Sequence, residues 1–460
     1  MAPPVSLAVE DIENLDWNNH IAVKRLMLCF LHENIELRRM HAETQERLEE
    51  ALRRLVFYEN PHTPPSQQKL KRQDVKKPGK RRGAPLGHGG VSRLLKEPDE
   101  VRLVKASECE ACGSTDLKLI RWKEKTIEDL PEIPPSTATK FVREMVECNN
   151  CGHVFTAKDA ECPVVGKFGV NLMVLILMLK FLPRSVLRKT VDLLEHMYHI
   201  RITANTANSV LERVAGGLQA EYNTLLKSVQ RAKVVYVDET SLSVLGKNWW
   251  IWIFRTKDNI AVVIRNSRGF CVPKEILGED FSKVLVRDGW RAYDALQHAP
   301  IQRCWAHLLR EAKEFNSIIA GRHLYERLCQ MFADIKVFNA SDPSDEVRKE
   351  KYVEFTTRMN ALLAYYGKNK QLKKIITYAR NGGSNWFTCV LIEGVEPTNN
   401  LAEQAIREHV MMRKIIGALR STQGAKTYET LASLIATWKL NNMNIANTLK
   451  QIITQNLCLT

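Results

Sequence analysis

The 460-residue chain has no long hydrophobic run. Its longest apolar stretch, Leu172 to Leu179, sits between Asn171 and Lys180, far short of the ~20 residues that cross a bilayer. It reads as a core helix, and no membrane partner is expected. Residues 1–17 are acidic and lack a basic segment followed by an apolar one, so no secretory signal is expected and the protein should be cytoplasmic. Cysteine suited to a disulfide framework is also missing. There are 11 cysteines, an odd number, four of them in two C-x-x-C pairs and the rest scattered. With no export signal, that favours a reducing compartment and a metal site. No internal repeat is visible. Acidic residues are in deficit, with 52 Asp+Glu against 67 Lys+Arg and a net charge of +15. Such a surplus favours a polyanionic partner, nucleic acid first. What remains is 45% hydrophobic and 26% charged, the composition of a folded protein of more than one domain.

Residues 20–58 read as one long helix, with Met27, Leu31, Leu37, Leu48, Leu52 and Leu55 in a partial heptad interrupted by Asn34, His41 and Thr44. That pattern suits either a short coiled coil or an amphipathic helix docked on the chain. Residues 60–105 read as a basic arm. Pro61, Pro64 and Pro65 open it, Lys80, Arg81 and Arg82 form its densest charge, and Gly79, Gly83, Gly87, Gly89 and Gly90 break it. Such a segment is either a solvated linker or a tracker of DNA phosphates.

Residues 106–160 contain Cys109-x-x-Cys112 and Cys148-x-x-Cys151, each followed by a glycine, Gly113 or Gly152. Two knuckles with four thiolates match a closed tetrahedral Zn²⁺ site, which is structural; His153 and Cys162 are nearby alternative ligands. Residues 165–230 read as helices. Within them a helix, a turn near His199–Ile202 and a second helix capped by Thr203 have helix-turn-helix spacing.

From 233 onward the pattern is α/β. Buried-strand runs end at Asp238 and at Asp288, Trp249–Phe254 and Ile260–Ile264 are further strands, and Ile301–His307 is a candidate fifth. Residues 308–390 read as helical, as do 399–418 and 426–450. Acids at strand carboxyl ends face the ligand crevice of α/β sheets, and paired carboxylates there hold Mg²⁺; turn aspartates are the ordinary alternative. Glu403 is a third candidate, with a capping box on Asn400 as its competing role. Arg407, Arg413 and Lys414 follow it and suit phosphate contact. Trp249, Trp250, Trp252 and Trp305 read mainly as core, with stacking on an unpaired base as the rarer use.

Several blocks in order resemble the insertion-sequence-66 family of transposases, the TnpC type with a DDE catalytic domain. They are the Asn60–Ser66 and Pro85–His88 parts of the arm, the cysteine pairs, Val237-Asp238-Glu239-Thr240, Arg287-Asp288-Gly289-Trp290, Arg303–Arg310, and Thr398–Glu403 with Arg407. Trp290 stands where a tyrosine is more usual. The resemblance implies a multidomain α+β protein: an N-terminal helix, a zinc ribbon, a helical DNA-binding region (165–230) and an RNase H-like catalytic domain (233–425) with a helical insertion at about 308–395, followed by a C-terminal helix (426–460). It implies Asp238, Asp288 and Glu403 as the acids holding two Mg²⁺ or Mn²⁺ ions, and DNA ends as substrate. A homodimer or higher assembly on DNA, other proteins of the same mobile element as partners, and nucleoid association when bound to DNA are expected with it. Lys80, Arg81, Arg82, Arg407, Arg413 and Lys414 are the expected DNA contacts. A non-catalytic DNA-binding derivative and a stand-alone nuclease are the competing functions.

Overall fold

A computed structural model describes residues 19–58, 97–127, 129–130 and 132–459. Lys80, Arg81, Arg82 and most of the basic arm lie outside the described residues. The chain divides into two units, 1–129 and 130–460. The first contains α1 (His20–Tyr58), one continuous 39-residue helix, on which Met27, Leu31, Leu37 and Leu48 are exposed within their own unit. Among the described residues no helix is long and apolar enough to cross a membrane.

The second unit opens on a small antiparallel hairpin, β1 (Met145–Glu147) with β2 (Val154–Thr156). Four helices follow: α2 (Val170–Phe181), α3 (Leu187–Tyr198), α4 (Ala204–Gly217) and α5 (Gln219–Arg231). The expected turn is present, with Thr203 as N-cap accepting from the Thr206 amide at 3.1 Å. One face of α4 is committed inward, through Ala207, Val210, Leu211, Val214 and Ala215.

The main sheet contains β3 (Val234–Val244), β4 (Lys247–Arg255), β5 (Ile260–Arg265), β6 (Val284–Arg287) and β7 (Ile301–Arg303), with α6 (Cys271–Leu277) crossing over before β6. The strand order is β5-β4-β3-β6-β7. The first three strands are mutually antiparallel, and β6 and β7 run parallel to β3. Alternation along β4 separates two cores. Trp252 and Phe254 join one with α2, α4 and α5, while Ile251 and Ile253 join another. The candidate strand Ile301–His307 is a strand only to Arg303. From Trp305 the chain is helix α7 (Trp305–Lys313), because Trp305 and Leu308 bury into the core of the insertion.

That insertion continues through α8 (Ile319–Ala340), α9 (Asp345–Tyr366), α10 (Lys373–Gly382) and α11 (Thr388–Leu391). It gathers its own core around Trp305, Trp386 and Phe387 and borrows Tyr236 and Val286 from the sheet. The chain then returns as α12 (Asn400–Ile416), β8 (Ala418–Leu419), α13 (Thr422–Leu440) and α14 (Ile445–Ile453). The C-terminal stretch is thus two helices and a closing turn rather than one helix, and α13 has a specific task. β5 is the sheet's edge, and an edge strand's unpaired amides invite association. Thr437, Ser433 and Glu429, four residues apart, accept from the amides of Ile260, Val262 and Ile264 at 2.8–2.9 Å. Four helical residues rise about 6 Å and two strand residues about 6.7 Å, so the two spacings match.

Candidate active site

Strand register brings the first two acids together. Val234, Val235 and Tyr236 of β3 pair with Val284, Leu285 and Val286 of parallel β6. Continued by two residues, the same offset sets Asp238 beside Asp288. Neighbouring strands lie about 4.8 Å apart, so the two carboxylates occupy one locality. β3 does not end at Asp238 as the sequence suggested. It runs on to Val244 because β4 folds back along its whole length, with Asp238 opposite Ile253. β6 does stop, at Arg287, leaving Asp288 at its mouth.

Burial pushes the Asp238 carboxyl well above the usual carboxylate range, and the negative charges of Glu239, Asp288 and Glu403 add to the shift; the Glu239 amide opposes it by donating to Asp238 Oδ1 at 2.9 Å. Asp238 thus feels the charge of both other acids named from the sequence and of Glu239, while the donor atoms nearest Glu403 belong to Cys304 and His307 rather than to Asp238 or Asp288.

Glu403 comes from the first turn of α12. The capping-box alternative does not describe its geometry. Asn399, not Asn400, precedes the helix, and no side chain caps its start. The Glu403 carboxylate lies instead beside α7, with Oε1 3.5 Å from His307 Nδ1 and Oε2 3.9 Å from Arg310 Nη2. Its Oε1 is buried without a hydrogen-bond donor. One donor atom from each of Cys304, His307 and Glu403 lies within 4.8 Å of the others. Asn399 fixes this junction from a fully buried position. Its side-chain amide donates to the Val237 carbonyl at 2.7 Å and its backbone N–H to Cys304 Sγ at 3.2 Å. It thus ties the residue before Asp238, the start of α7 and the start of α12 to one point.

Asp288 is held by its own loop. The Trp290 amide donates to Asp288 Oδ1 at 2.8 Å. The buried Arg287 guanidinium donates to the carbonyls of Trp290 (2.8 Å) and Asp288 (3.3 Å) and pairs with Asp294. Beside this loop, Glu239 accepts from Arg268 through Nε (3.0 Å) and Nη2 (2.9 Å), and from the Tyr293 hydroxyl at 2.5 Å. Arg268, Tyr293, His307, Arg310 and Asn399 were not singled out as site residues from the sequence. His307 and Arg310 carried a signal in the Arg303–Arg310 block, Asn399 in the Thr398–Glu403 block and Tyr293 next to the Arg287–Trp290 block; Arg268 carried none.

The expected DNA contacts differ in availability. Arg407 and Lys414 are exposed on α12. Arg413 is occupied: its guanidinium donates to Thr240 Oγ1 and Ser241 Oγ at 3.1 and 3.0 Å and to the Ser241 carbonyl, fastening α12 to β3. Trp252 and Trp305 are fully buried, as core residues should be.

The two cysteine pairs, each taken within its own unit, adopt the same turn. The Cys109 amide donates to the Ser114 carbonyl and Gly113 to Cys109; Cys148 donates to His153 and Gly152 to Cys148, all at 2.8–2.9 Å. Gly113 and Gly152 have φ of 70° and 67°, a left-handed conformation costly for other residues. Backbone N–H groups of Ala111 and Cys112 lower the Cys109 thiol from its usual range, and those of Asn150 and Cys151 do the same for Cys148.

On its inner face α12 is anchored by His409, whose Nδ1 lies 2.8 Å from the Tyr428 hydroxyl. Burial lowers this imidazole from 6.5 to about 4. The folded state therefore resists a proton that the unfolded chain accepts. The His409 contribution to stability should be unchanged above pH 6.5 and fall as pH drops from 6.5 toward 4, by about 2–3 kcal/mol at pH 4.5. Denaturant midpoints at pH 7 and 4.5 check this, with His409→Gln expected to remove most of the acid loss.

A family model described as "Transposase IS66 family" matches residues 166–427. Two curated relatives come from Sinorhizobium fredii. An uncharacterized protein, y4qI, is 25% identical over 301 residues, which cover 56% of this chain and 54% of the relative. Another uncharacterized protein, y4jD, is 24% identical over 421 residues, covering 81% of this chain and 80% of the relative. The match thus spans about half the length of the first relative and most of the second.

Proposed function

The chain belongs to the IS66 transposase family, and from that premise we propose that it is a DNA transposase that cuts the ends of its mobile element and joins the 3′-OH to target DNA. The observation that carries this reading is the parallel register that sets Asp238 beside Asp288, with the Glu403 charge near enough to add to the rise of the Asp238 carboxyl. The order of the sheet, three antiparallel strands followed by two parallel ones, supports an RNase H-like catalytic domain.

Mg²⁺ or Mn²⁺ fits this group. Hard cations take carboxylate oxygens, and the cluster offers several with Glu403 Oε1 lacking a donor. Asp238, Asp288 and Glu403 would hold the ions. Two such ions supply activation of the attacking oxygen and neutralisation of the leaving one. The chain's own residues do the rest. Asn399 fixes where α12 begins and so where Glu403 points. Arg310, partly exposed beside Glu403, presents a positive charge to a phosphate. Arg407, Lys414 and the Lys80–Arg82 run would grip the DNA backbone, which sets affinity and salt dependence without reading sequence. The α3–α4 pair is the helix-turn-helix candidate. Cys109, Cys112, Cys148 and Cys151 would hold Zn²⁺, supported by the matching knuckle turns. The exposed apolar residues of α1 support pairing of two chains, so that two ends are brought together.

The test is an assay on labelled element-end DNA with Mg²⁺. Wild type should give joined products, and Glu403→Gln should lose at least about 10²-fold while still binding the ends. Binding without cutting by wild type, even with other proteins of the element added, would favour a DNA-binding derivative. Cutting without joining would favour a nuclease.

A further inference from the structure

We propose that Glu239, Arg268 and Trp290 form a strut that fixes Asp288 relative to Asp238, acting as positioning residues for the acid site rather than as ligands within it. The inference rests on reading Asp238 and Asp288 as metal ligands. Glu239 follows Asp238 directly, so from sequence it resembles a spare ligand. Alternation along β3 sends it to the opposite face, where it pairs across the sheet with Trp252. Both its oxygens are used. Oε1 takes two bonds from Arg268 and Oε2 takes the Tyr293 hydroxyl. Its side chain is 1% exposed, so no further partner reaches it.

The guanidinium it holds lies between two indoles. Arg268 Cζ is 4.0 Å from the Trp290 ring centre and 4.6 Å from that of Trp250. The Trp290 indole N–H donates to the Arg268 carbonyl at 3.1 Å, and its backbone N–H donates to Asp288 Oδ1. Trp252, on β4, donates to the Ser267 carbonyl at 3.1 Å, fixing the same loop from beneath. A continuous path of charged, stacked and hydrogen-bonded contacts therefore runs from the residue beside Asp238, through the β5–α6 loop, to the oxygen of Asp288.

The physical need for such a path is clear. Asp238 and Asp288 repel one another, and Asp288 lies past the end of its strand. Without outside support the carboxylates would separate until a cation arrived, and each binding event would have to restore their geometry. Holding them together in advance moves that cost into folding. Trp290 suits the task because an indole combines a broad face for the guanidinium with an N–H for the loop.

Two measurements on the full-length protein, with fold checked by circular dichroism, test the strut. The first is metal-free hydrogen exchange of the 287–294 segment. Arg268→Ala should expose the Trp290 amide to faster exchange, and Trp290→Phe, which keeps the ring but loses the N–H, should fall between it and wild type. The second is Mn²⁺ binding. Arg268→Ala and Glu239→Gln should each weaken it about 10–100-fold, and the double variant should be little worse than either single one, since both break the same path. Unchanged exchange together with unchanged Mn²⁺ binding in Arg268→Ala would overturn the strut. So would loss of Mn²⁺ binding in Glu239→Gln with exchange unchanged, which would make Glu239 a ligand. Asp238→Asn separates the two levels of argument. If it leaves Mn²⁺ binding intact, the acid-site reading fails, while the metal-free exchange still judges the strut.

Discussion

Asp238→Asn should abolish cutting and joining while making the metal-free protein more stable. The activity loss follows from removing one of three carboxylates at a site where charge placement carries most of the rate; at least about 10²–10³-fold is expected. The stability gain follows from what that carboxylate costs. Asp238 is held well above its ordinary value of 3.8, first by burial and then by Glu239, Asp288 and Glu403. The native state therefore keeps a proton that the unfolded chain releases. As pH rises above 3.8 and through the raised native value, the wild type loses stability, and beyond that value the loss is complete. Asparagine cannot ionise, so its advantage should be absent at strongly acidic pH and grow across that window. In a fold of this size each kcal/mol relieved raises the melting temperature by about 1–2 °C. Melting curves in chelator at several pH values check the trend. A mutant that melts below wild type at neutral pH would show that Asp238 is a structural residue.

Removing the zinc proposed at the cysteine knuckles should have the second largest effect, confined to one part of the molecule. Residues 101–127 and 132–161 contribute almost no buried side chains, and the hairpin within the second stretch has only three residue pairs. Such a segment has no core to hold it, whereas the sheet and insertion bury dozens of side chains in continuous clusters. Structural zinc supplies about 10–16 kcal/mol in comparable small domains. Chelation, or Cys148→Ser, should therefore open residues 106–160 to proteolysis while the melting of the sheet domain changes little. Zinc content measured by elemental analysis should fall from one ion per chain to near zero in Cys148→Ser. Full zinc retention with unchanged protease resistance would separate the two knuckles into unrelated turns.

The sequence disclosed the parts of the site that are local. Asp238 and Asp288 were legible because each ends a run of buried-strand residues. Their proximity follows from the parallel register. The cysteine knuckles were legible because two cysteines and a glycine at fixed spacing leave few other turns. Glu403 was ambiguous because Asn400 and Glu403 have a cap's spacing as well as a ligand's. The placement of α12 against α7, set by the buried Asn399, turns its carboxylate toward His307 and Arg310 and leaves the helix start without a side-chain cap. Arg268 was invisible for a different reason. Its partners Glu239, Trp250 and Trp290 lie 18 to 29 positions away in both directions, and no local pattern encodes such a meeting. Arg413 shows the converse: a cation that suits DNA by position is taken up by Thr240 and Ser241 instead. The break after Arg303 was missed because Trp305 extends an apolar run equally well as strand or helix. Its burial against Phe332, Trp386 and Phe387 selects the helix.

One group of acids, Asp238, Asp288 and Glu403, is proposed to perform both cutting and joining. The most direct measurement is a single-turnover assay on element-end DNA with Mg²⁺, run side by side on wild type, Asp238→Asn, Asp288→Asn and Glu403→Gln, with end binding recorded for each. Cut and joined products are expected from wild type, and both products should be lost together in every variant while binding persists. Wild-type rates in any one of the three variants would remove that residue from the site, and joining that survives the loss of cutting would show that the two reactions do not share it.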